Sequence, residues 1–273
     1  MSQRFAYTTL VTNADYALGA LALARSLVAV KSCYPLIVIV TENSAHDPAT
    51  SEGLDKLQSA GATIKIVKPL PFSDGFKGRH SRRSQHARSP FTKGTKPIFH
   101  DPLDNFSKLT LWTMDEFERI VFLDADTLVV KNIDRLFGYP EFSAAPNLYE
   151  SLNDMHRLNS GVFVAQPDSG RFEAMIKSLD APEAYWPRTD QTFLEQYFPA
   201  WHGLPYTFNT LQYVFFNLPK LWEWRSINVV HYQYEKPWQE HNPRRAELLP
   251  LIDLWHQMLD GALPPGELRT PHG

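Results

Sequence analysis

The order of apolar and polar positions predicts alternating strands and helices over the first two thirds of the chain. Short runs of consecutive apolar residues are typical of strands that are buried on both faces. They predict strands at residues 4–11, 35–41, 63–67 and 119–123. The segments between them predict helices at residues 16–30, 49–60 and 103–116. This alternation predicts an α/β fold with a mostly parallel, twisted sheet and helices on both faces.

The strand at 119–123 leads directly into Asp124-Ala125-Asp126, the one Asp-x-Asp sequence in the chain. Side chains two residues apart on an extended backbone point to the same side. The two carboxylates would therefore repel each other unless a cation lies between them. Hard carboxylate oxygens suit Mg²⁺ or Mn²⁺, and ligands of parallel sheets bind beyond the carboxyl ends of the strands. The motif predicts a metal site that holds a diphosphate; the alternative is an acidic turn without a ligand.

Polar residues at two later positions are candidates for the same crevice. Asn159 and Ser160 open a predicted strand, and Asp190 and Gln191 lie at the head of a predicted helix. The ordinary roles of such residues are to form a turn and to stabilise a helix start. In a functional role, Asp190 and Gln191 would line the crevice at the strand ends.

A further apolar strand, at 227–231, ends in His231 and is followed by Lys236. A single histidine after a strand is more often structural than a ligand. Here, His231 completes a set of two carboxylates and one imidazole, which suits Mn²⁺. Lys236 would then supply a point charge to phosphate oxygens.

Composition is that of a folded protein and argues against two classes of partner. The chain has 273 residues, of which 43% are hydrophobic and 21% charged, and we expect one domain over 1–260. Its net charge of −3 argues against nucleic acid as a partner. The apolar segment 17–30 is too short to span a membrane, so we expect no membrane partner. Cys33 is the one cysteine and no signal peptide is visible, which predicts a cytoplasmic protein.

One stretch, residues 73–100, is strongly basic. It carries seven Lys and Arg residues against a single acid, Asp74. We expect either a solvated loop or a mobile flap over an anionic ligand. The segment 261–273, which contains three prolines, is expected to be a disordered tail.

Taken together, these segments resemble family eight of the retaining glycosyltransferases, which contains glycogenin and plant galactinol synthase. The resemblance extends from Phe5 to Trp238, with a gap over the basic stretch. It is specific because many motifs occur in order: Thr12-Asn13 with Tyr16, Ser107-Lys108-Leu109, and the segments 122–137, 142–146, 159–164, 190–191 and 229–238. The segment 31–36 is more similar to galactinol synthase than to glycogenin.

The resemblance implies a single domain of the nucleotide-diphospho-sugar transferase type. It implies that Asp124, Asp126 and His231 bind Mn²⁺, with Mg²⁺ as the alternative, and that Lys236 contacts the leaving phosphate. Ala125 would lie with its two neighbours at the donor diphosphate. The uracil and ribose would be held by Leu10, Thr12, Asn13 and Tyr16. The hexose would be faced by Lys108, Asn159, Ser160, Asp190 and Gln191.

The resemblance further implies that glucose or galactose moves from a UDP-sugar to a hydroxylated acceptor, a small polyol or glycan, with retention of the anomeric configuration. Retention needs either a covalent intermediate, for which Asp190 is the one candidate, or attack on the face that the leaving group vacates. We favour same-face attack, in which Asp190 orients hydroxyls and the amide oxygen of Gln191 stabilises the positively charged sugar.

The sequence departs from the family pattern at two places. The family's segment usually has a glycine a few residues after the histidine, whereas here Gln233-Tyr234 fill a spacing that is one residue shorter. Phe216 stands where glycogenin carries its self-glucosylated tyrosine, with Tyr213 nearby. The missing tyrosine argues against self-glucosylation, which is the alternative to a separate acceptor.

Two functions other than glycosyl transfer are left open, and so is the oligomeric state. The Asp-x-Asp-x-Thr pattern also matches phosphatases of the haloacid dehalogenase class, in which Asp124 would be the nucleophile. A sugar-nucleotide binding module without catalysis is the second such function. A homodimer is left open.

Overall fold

The computed structural model describes residues 4–81 and 102–261, and its architecture confirms the predicted α/β fold. The strands are β1 (Phe5–Val11), β2 (Leu36–Thr41), β3 (Thr63–Val67), β4 (Arg119–Leu123), β5 (Thr127–Val129), β6 (Ser143–Pro146), β7 (Leu158–Ala165), β8 (His202–Gly203), β9 (Thr210–Leu211) and β10 (Val229–His231). The helices are α1 (Ala14–Ala29), α2 (Glu42–Ala45), α3 (Pro48–Ser59), α4 (Asp74–His80), α5 (Pro102–Asn105), α6 (Ser169–Leu179), α7 (Asp190–Tyr197), α8 (Val214–Asn217) and α9 (Arg245–Leu259).

Within the described residues, seven strands form one sheet in the order β3-β2-β1-β4-β7-β6-β8. β1 pairs in parallel with β2 on one side and with β4 on the other. β7 is antiparallel to both β4 and β6. Because β1, β2 and β4 share this sheet, as predicted, their carboxyl ends open on one edge, which is where ligands of such sheets bind.

Alternate residues of β1 pack into different hydrophobic layers. Tyr7 and Val11 contact the layer that includes α1 and α3. Ala6 and Leu10 contact the opposite layer, to which α6 and α7 contribute. Both faces of the sheet are therefore covered, which explains why its strands are nearly continuous apolar runs. No helix in the described part of the chain is long and apolar enough to cross a membrane.

A second sheet, of three strands within the residues described, lies beside the first and was not predicted. Its order is β5-β10-β9, with β10 antiparallel to β5 and parallel to β9. The register sets His231 opposite Thr127, and the amide of Tyr232 donates to the carbonyl of Asp126 at 2.8 Å. The second sheet thus brings the end of the strand predicted at 227–231 to the Asp-x-Asp segment.

The segment predicted to be helical over 103–116 is helical over residues 102–113, but not as one regular helix. The short helix α5 is followed by a 3-10 helix, Phe106–Thr113, which is buried along most of its length. The hydroxyl of Thr110 donates to the carbonyl of Ser107 at 2.7 Å, and that of Thr113 donates to the carbonyl of Thr110 at 2.8 Å. Hydroxyls that bind carbonyls three residues back compete with the regular helical bonds.

The basic stretch predicted as a loop over 73–100 begins as a helix. In α4, the hydroxyl of Ser73 caps the helix by accepting from the amide of Phe76 at 3.1 Å. Ser73 also donates to Asp180 through its amide and its hydroxyl, both at 2.7 Å. The remainder of that stretch, 82–100, and the predicted tail from residue 262 onward lie outside the described residues.

Candidate functional site

A tight turn brings the carboxylates of Asp124 and Asp126 together. The amide and the hydroxyl of Thr127 both donate to the carbonyl of Asp124, at 3.0 and 2.7 Å. β4 ends at Leu123, so the backbone is not extended through the motif as strand alternation had predicted. The extended backbone predicted for the motif was therefore wrong, although the turn also leaves both carboxylates beside one space.

His231 completes a cluster of three potential metal ligands with these carboxylates. One ligand atom from each residue lies within 4.8 Å of the other two. His231 Nε2 is 3.2 Å from Asp126 Oδ1 and 4.0 Å from Asp124 Oδ2. Asp126 and His231 are buried, whereas Asp124 is partly exposed. Two carboxylates and one imidazole that converge in this way suit Mn²⁺ or Mg²⁺.

Two buried lysines pair with the acidic groups. Lys236 Nζ contacts Asp126 and donates to the carbonyl of Tyr232 at 2.9 Å. Lys108 Nζ lies 3.0 Å from Asp124 Oδ1 and 2.8 Å from Asp190 Oδ2. Through Lys108, Asp190 on α7 is joined to the Asp-x-Asp turn. The predicted residues Lys108, Asp190 and Lys236 are thus brought to the metal cluster.

Burial and charge pairing act in opposite directions on these groups. Burial raises the pKa of Asp124; the charge of Asp126 raises it further, while Lys108 opposes both. Burial also disfavours the charged form of Asp126, but Lys236 and His231 outweigh it and lower the pKa of this carboxyl. The pKa of Lys108 is raised because Asp124 and Asp190 outweigh the effect of burial. Asp126 and Lys108 therefore stay charged at neutral pH.

Asp190 is held at the start of α7 by its neighbours. The side-chain amide of Asn105 donates through Nδ2 to Asp190 Oδ1 and, at 2.8 Å, to the hydroxyl of Thr189. Thr189 has a φ of 49°, a region that residues other than glycine rarely adopt. Such strain is concentrated at functional sites. Gln191 is buried beside Asp190, so the two predicted residues share this position.

The aromatic ring of Tyr16 joins helix α1 to the segment after β10. It packs edge-on against Trp238, with ring centroids 5.8 Å apart, and lies 5.8 Å from Lys236 Nζ. The side chain of Asn13 caps α1 by accepting from the amide of Tyr16 at 3.1 Å. The structure thus places Tyr16, which was predicted for the nucleoside, near the lysine predicted for the phosphate.

Thr12, at the end of β1, carries a buried hydroxyl that has no hydrogen-bond partner among the described residues. Its carbonyl accepts from the hydroxyl of Ser44 at 3.1 Å. Buried polar atoms are nearly always paired with protein, water or ligand, so this hydroxyl fits a ligand at the strand end. Leu10, in contrast, is buried in the sheet interior.

A chain of three buried asparagine side chains lies behind His231. Asn209 Oδ1 is 2.9 Å from His231 Nδ1, and Asn209 Nδ2 donates to Asn159 Oδ1 at 2.8 Å. Asn159 Nδ2 in turn donates to Asn147 Oδ1 at 2.9 Å. Asn159 was predicted from the resemblance, and Ser160 beside it is also buried. No periodicity or motif in the sequence marked Asn209 or Asn147, because their roles depend on contacts between distant segments.

The sequence differs from the family pattern at Gln233-Tyr234, and the backbone of Tyr234 accommodates the difference. Tyr234 has a φ of 66°, the left-handed conformation that glycine adopts most readily. Its hydroxyl accepts from Arg188 Nη1 at 3.2 Å, and its ring packs against those of Tyr149 and Tyr213. A tyrosine held by these contacts thus adopts the conformation expected of the missing glycine.

A sequence model of glycosyl transferase family 8 matches residues 7–242. An Arabidopsis thaliana protein named "Putative UDP-glucuronate:xylan alpha-glucuronosyltransferase 5" is 34% identical over an alignment 249 residues long including gaps, which covers 87% of this chain and 37% of that protein. The chain thus spans little more than a third of this relative. Galactinol synthase 4 of the same organism is 27% identical over an alignment 291 residues long including gaps, which covers 92% of this chain and 80% of that protein.

Solved structures show the same fold at low sequence identity. The galactosyltransferase LgtC, in complex with donor and acceptor sugar analogs, aligns with a TM-score of 0.60 and 15% identity over 96% of this chain and 97% of that one. The glycosyltransferase GlyE of Streptococcus pneumoniae TIGR4 aligns with a TM-score of 0.61 and 15% identity over 95% of this chain and 63% of that one. The overall architecture is therefore that of known glycosyltransferases.

Proposed function

The chain belongs to glycosyl transferase family 8, and on this premise we propose that it transfers a hexose from a UDP-sugar to a hydroxylated acceptor with Mn²⁺ as cofactor. The observation that carries the proposal is the cluster of Asp124, Asp126 and His231, flanked by two buried lysines. The acceptor we propose is a small polyol or glycan. Support for it comes from the galactinol synthase relative, which this chain matches over 80% of its length.

The three potential ligands fit a divalent cation, since two carboxylate oxygens and one imidazole nitrogen converge on one space. A bound Mn²⁺, or Mg²⁺ in its place, would supply positive charge against the negative charge of the donor diphosphate. Lys236 would contact the leaving phosphate, where a compact ammonium group suits phosphate oxygens. Its contact with Asp126 holds its ammonium group in place.

We assign the remaining donor contacts as the resemblance implies. Tyr16, Asn13, Thr12 and Leu10 would hold the uracil and ribose, and the unpartnered hydroxyl of Thr12 supports a ligand there. The hexose would be faced by Lys108, Asn159, Ser160, Asp190 and Gln191.

For the transfer itself, we propose attack on the face that UDP vacates, with retention of configuration. One carboxylate oxygen of Asp190 accepts from the side chain of Asn105, and the other is ion-paired with Lys108 at 2.8 Å. These contacts fix the position of the carboxylate, which favours a role in orienting hydroxyl groups. The amide oxygen of Gln191 would stabilise the positively charged sugar, and the leaving phosphate oxygen would take the acceptor proton. Detection of a glycosyl ester on Asp190 by mass spectrometry, or an inverted product anomer by NMR, would contradict this route.

A UDP-hexuronic acid is a second candidate donor. The specific observation is Arg188, two residues before Asp190, whose guanidinium is paired with no carboxylate of the described residues and donates to Tyr234. Guanidinium groups bind carboxylates through paired hydrogen bonds. The glucuronosyltransferase relative named above supports this candidate.

Release of UDP from a panel of donors tests the proposal. UDP-glucose, UDP-galactose and UDP-glucuronic acid are each incubated with Mn²⁺ and with a panel of polyols and oligosaccharides. We expect release from one donor class that stops on chelation and in Asp126→Asn, because a metal ligand is lost. Asp253→Asn, which changes an exposed carboxylate on α9, is the matched control and should be as active as the native chain. Binding of a UDP-sugar without any turnover would favour a sugar-nucleotide binding module without catalysis.

Phosphatase activity and self-glucosylation both lose support. Family membership removes the basis for a phosphatase of the haloacid dehalogenase class. Tyr213, the tyrosine nearest the glycogenin position, is buried and donates from its hydroxyl to both carboxylate oxygens of Glu235, at 3.0 and 2.8 Å. A hydroxyl that is held in this way is a poor sugar acceptor, so we do not propose self-glucosylation.

The proposed location is cytoplasmic. Cys33 is exposed and free, which supports a reducing environment, because exposed thiols are readily oxidised outside one.

A further inference from the structure

We propose that Asn209, itself oriented by Asn159, is a positioning residue that fixes the tautomer and the direction of the His231 ring. The inference rests on the proposed function in one respect, since it takes a divalent cation to bind beside Asp124 and Asp126. It adds Asn209 to that site as a residue that touches neither the cation nor the donor, and it gives Asn159, already assigned to the hexose, a second role.

The orientation of each amide follows from a single backbone group. The amide N–H of Gly161 can act only as a donor, and it lies 2.8 Å from one side-chain atom of Asn159, which must therefore be the oxygen. The Asn209 atom that contacts the same oxygen at 2.8 Å must then be the amide nitrogen. The other terminal atom of Asn209, which faces His231, is consequently its oxygen.

An amide oxygen can only accept, so Nδ1 of His231, at 2.9 Å from it, must carry a proton. The second ring nitrogen, Nε2, is the one that faces Asp126 and Asp124. In a neutral ring that is protonated on Nδ1, the free lone pair lies on Nε2 and points at the metal cluster. Histidine ligands of metals are commonly held in this way by a hydrogen bond from the opposite nitrogen.

Two further observations make the arrangement rigid. Asn147, Asn159, Asn209 and His231 are all buried, with Asn209 only 1% exposed, so bulk water does not compete for these hydrogen bonds. Gly161 provides the surface on which the ring rests: a Cβ at this position would come within 2.6 Å of Nδ1 and 2.8 Å of Asn159 Oδ1. The ring is therefore fixed in direction by the glycine and in tautomer by Asn209.

The tautomer of His231 is measured by ¹⁵N NMR of histidine-labelled protein without metal, with His231→Ala used to assign the signal. At a pH where the ring is neutral, we expect the Nδ1–H form in the native chain. In Asn209→Leu, which has nearly the same shape but no acceptor, we expect a shift towards the Nε2–H form. Asn209→Asp keeps an acceptor oxygen and should retain the Nδ1–H form. Asn228→Ala removes another buried amide near the same strand and should leave the signal unchanged.

Binding of Mn²⁺ to the same proteins, measured by calorimetry and electron paramagnetic resonance, is the second readout. We expect Asn209→Leu to weaken binding by about 10–100-fold, as is typical when the hydrogen-bond partner of a metal-binding histidine is lost. Asn209→Asp and Asn228→Ala should bind Mn²⁺ at least as tightly as the native chain does. If Asn209→Leu does not fold, as judged by circular dichroism, Asn209→Ser makes the same test because serine is too short to reach Nδ1.

The outcomes separate the inference from the proposed function. Native tautomer and native Mn²⁺ affinity in Asn209→Leu would overturn the role of Asn209 while leaving the metal site intact. Failure of the native chain to bind Mn²⁺, or undiminished binding in His231→Ala, would instead overturn the metal site and with it the proposed function.

Discussion

Each carboxylate of the Asp-x-Asp turn is paired with its own lysine. Asp126 contacts Lys236 and Asp124 contacts Lys108, and both lysines are almost fully buried. A buried charge is tolerated because its partner is present, and removal of one partner leaves the other charge without compensation. Stability and activity therefore depend on these residues in different ways, and variants can separate the two.

Asp126→Leu should lower the free energy of unfolding by about 3–5 kcal/mol, because it leaves Lys236 buried without its carboxylate. The double variant Asp126→Leu with Lys236→Met should recover most of that loss, because both charges are then absent. Neither protein should release UDP from a donor, since a metal ligand is missing from both. Urea unfolding and the UDP-release assay measure the two effects. A double variant that is no more stable than Asp126→Leu would contradict the assigned pairing.

Binding of Mn²⁺ should weaken on acidification at a higher pH than for an ordinary aspartate. The cation binds the ionised carboxylate, and burial together with the charge of Asp126 raises the pKa of Asp124. As the pH falls towards this raised pKa, protons compete with the cation, and the affinity decreases before the usual Asp range near about 4 is reached. Calorimetric titrations at a series of pH values make the measurement. Affinity that stays constant until the ordinary Asp range would show that the pKa of Asp124 is not raised.

The residues that the sequence made visible are those whose chemistry is carried by a short motif. They lie at or just after the ends of apolar strands, where ligands of such sheets bind: Asp124, Asp126, His231 and Lys236. Asn209 lies after a 3-10 helix, Tyr206–Phe208, in a segment without periodicity. Its role arises from contacts with strand β7 and with His231, and such contacts exist only in the folded chain.

Secondary structure was predictable where an element was long enough to show its period. The strands β1 to β4 were predicted within two residues at each end. Strands β5 and β9 have only three and two residues in the structure, too few for an alternation to be seen. β10 lies within the strand predicted at 227–231, but its pairing with β5 and β9 was not predicted. This pairing is what brings His231 to the Asp-x-Asp turn, and it exists only in the folded chain.

Helix α1 approaches the Asp-x-Asp turn closely at Gly19. A Cβ there would lie 2.6 Å from the carbonyl oxygen of Ala125 and 2.9 Å from the ring of Trp238. The helix thus packs on both the Asp-x-Asp turn and the segment after Lys236. This close packing explains in physical terms why a glycine is found in a helix whose other buried positions are mostly Ala and Leu.

Gly19→Ala should therefore reduce both stability and metal affinity, although alanine is the better helix former. Overpacking of this kind costs about 1–3 kcal/mol, and relief of the clash must move either the turn or Trp238. Gly78→Ala is the control, because a Cβ at this exposed position in α4 meets no atom within 4 Å; it should be neutral or stabilising by up to about 1 kcal/mol. Thermal unfolding and Mn²⁺ titration measure the two effects. Gly19→Ala with native stability and native affinity would contradict the close packing.

At the scale of the whole molecule, both parallel and antiparallel strands contribute residues to one site. The parallel strands β1 and β4 end next to Thr12 and next to the Asp-x-Asp turn, which are proposed for the nucleoside and the cation. The antiparallel strand β7 adds Asn159 and Ser160, and the second sheet adds His231. Because segments from both sheets and from α1 and α7 meet there, the cation and the diphosphate would connect parts of the chain that are distant in sequence.

UDP, the product left by the donor, and Mn²⁺ should therefore stabilise the protein more together than either does alone. A ligand that binds only the folded state at about 100 times its dissociation constant adds roughly 2.7 kcal/mol, which for a chain of this size corresponds to about 5–10 °C in Tm. We expect a shift of this order with UDP plus Mn²⁺, and a smaller shift with each ligand alone, because the cation is shared between the diphosphate and the carboxylates. Differential scanning calorimetry makes the measurement.

The variant His231→Ala sharpens this test because it removes one metal ligand and leaves the residues at the end of β1 in place. It should keep the shift caused by UDP alone and lose most of the additional shift caused by Mn²⁺, since the shared cation is then held by fewer protein ligands. Asn228→Ala, near the start of the same strand, should lower Tm without ligands but keep both shifts. Equal shifts with UDP alone and with UDP plus Mn²⁺ in the native chain would mean that the cation does not link the diphosphate to Asp124, Asp126 and His231.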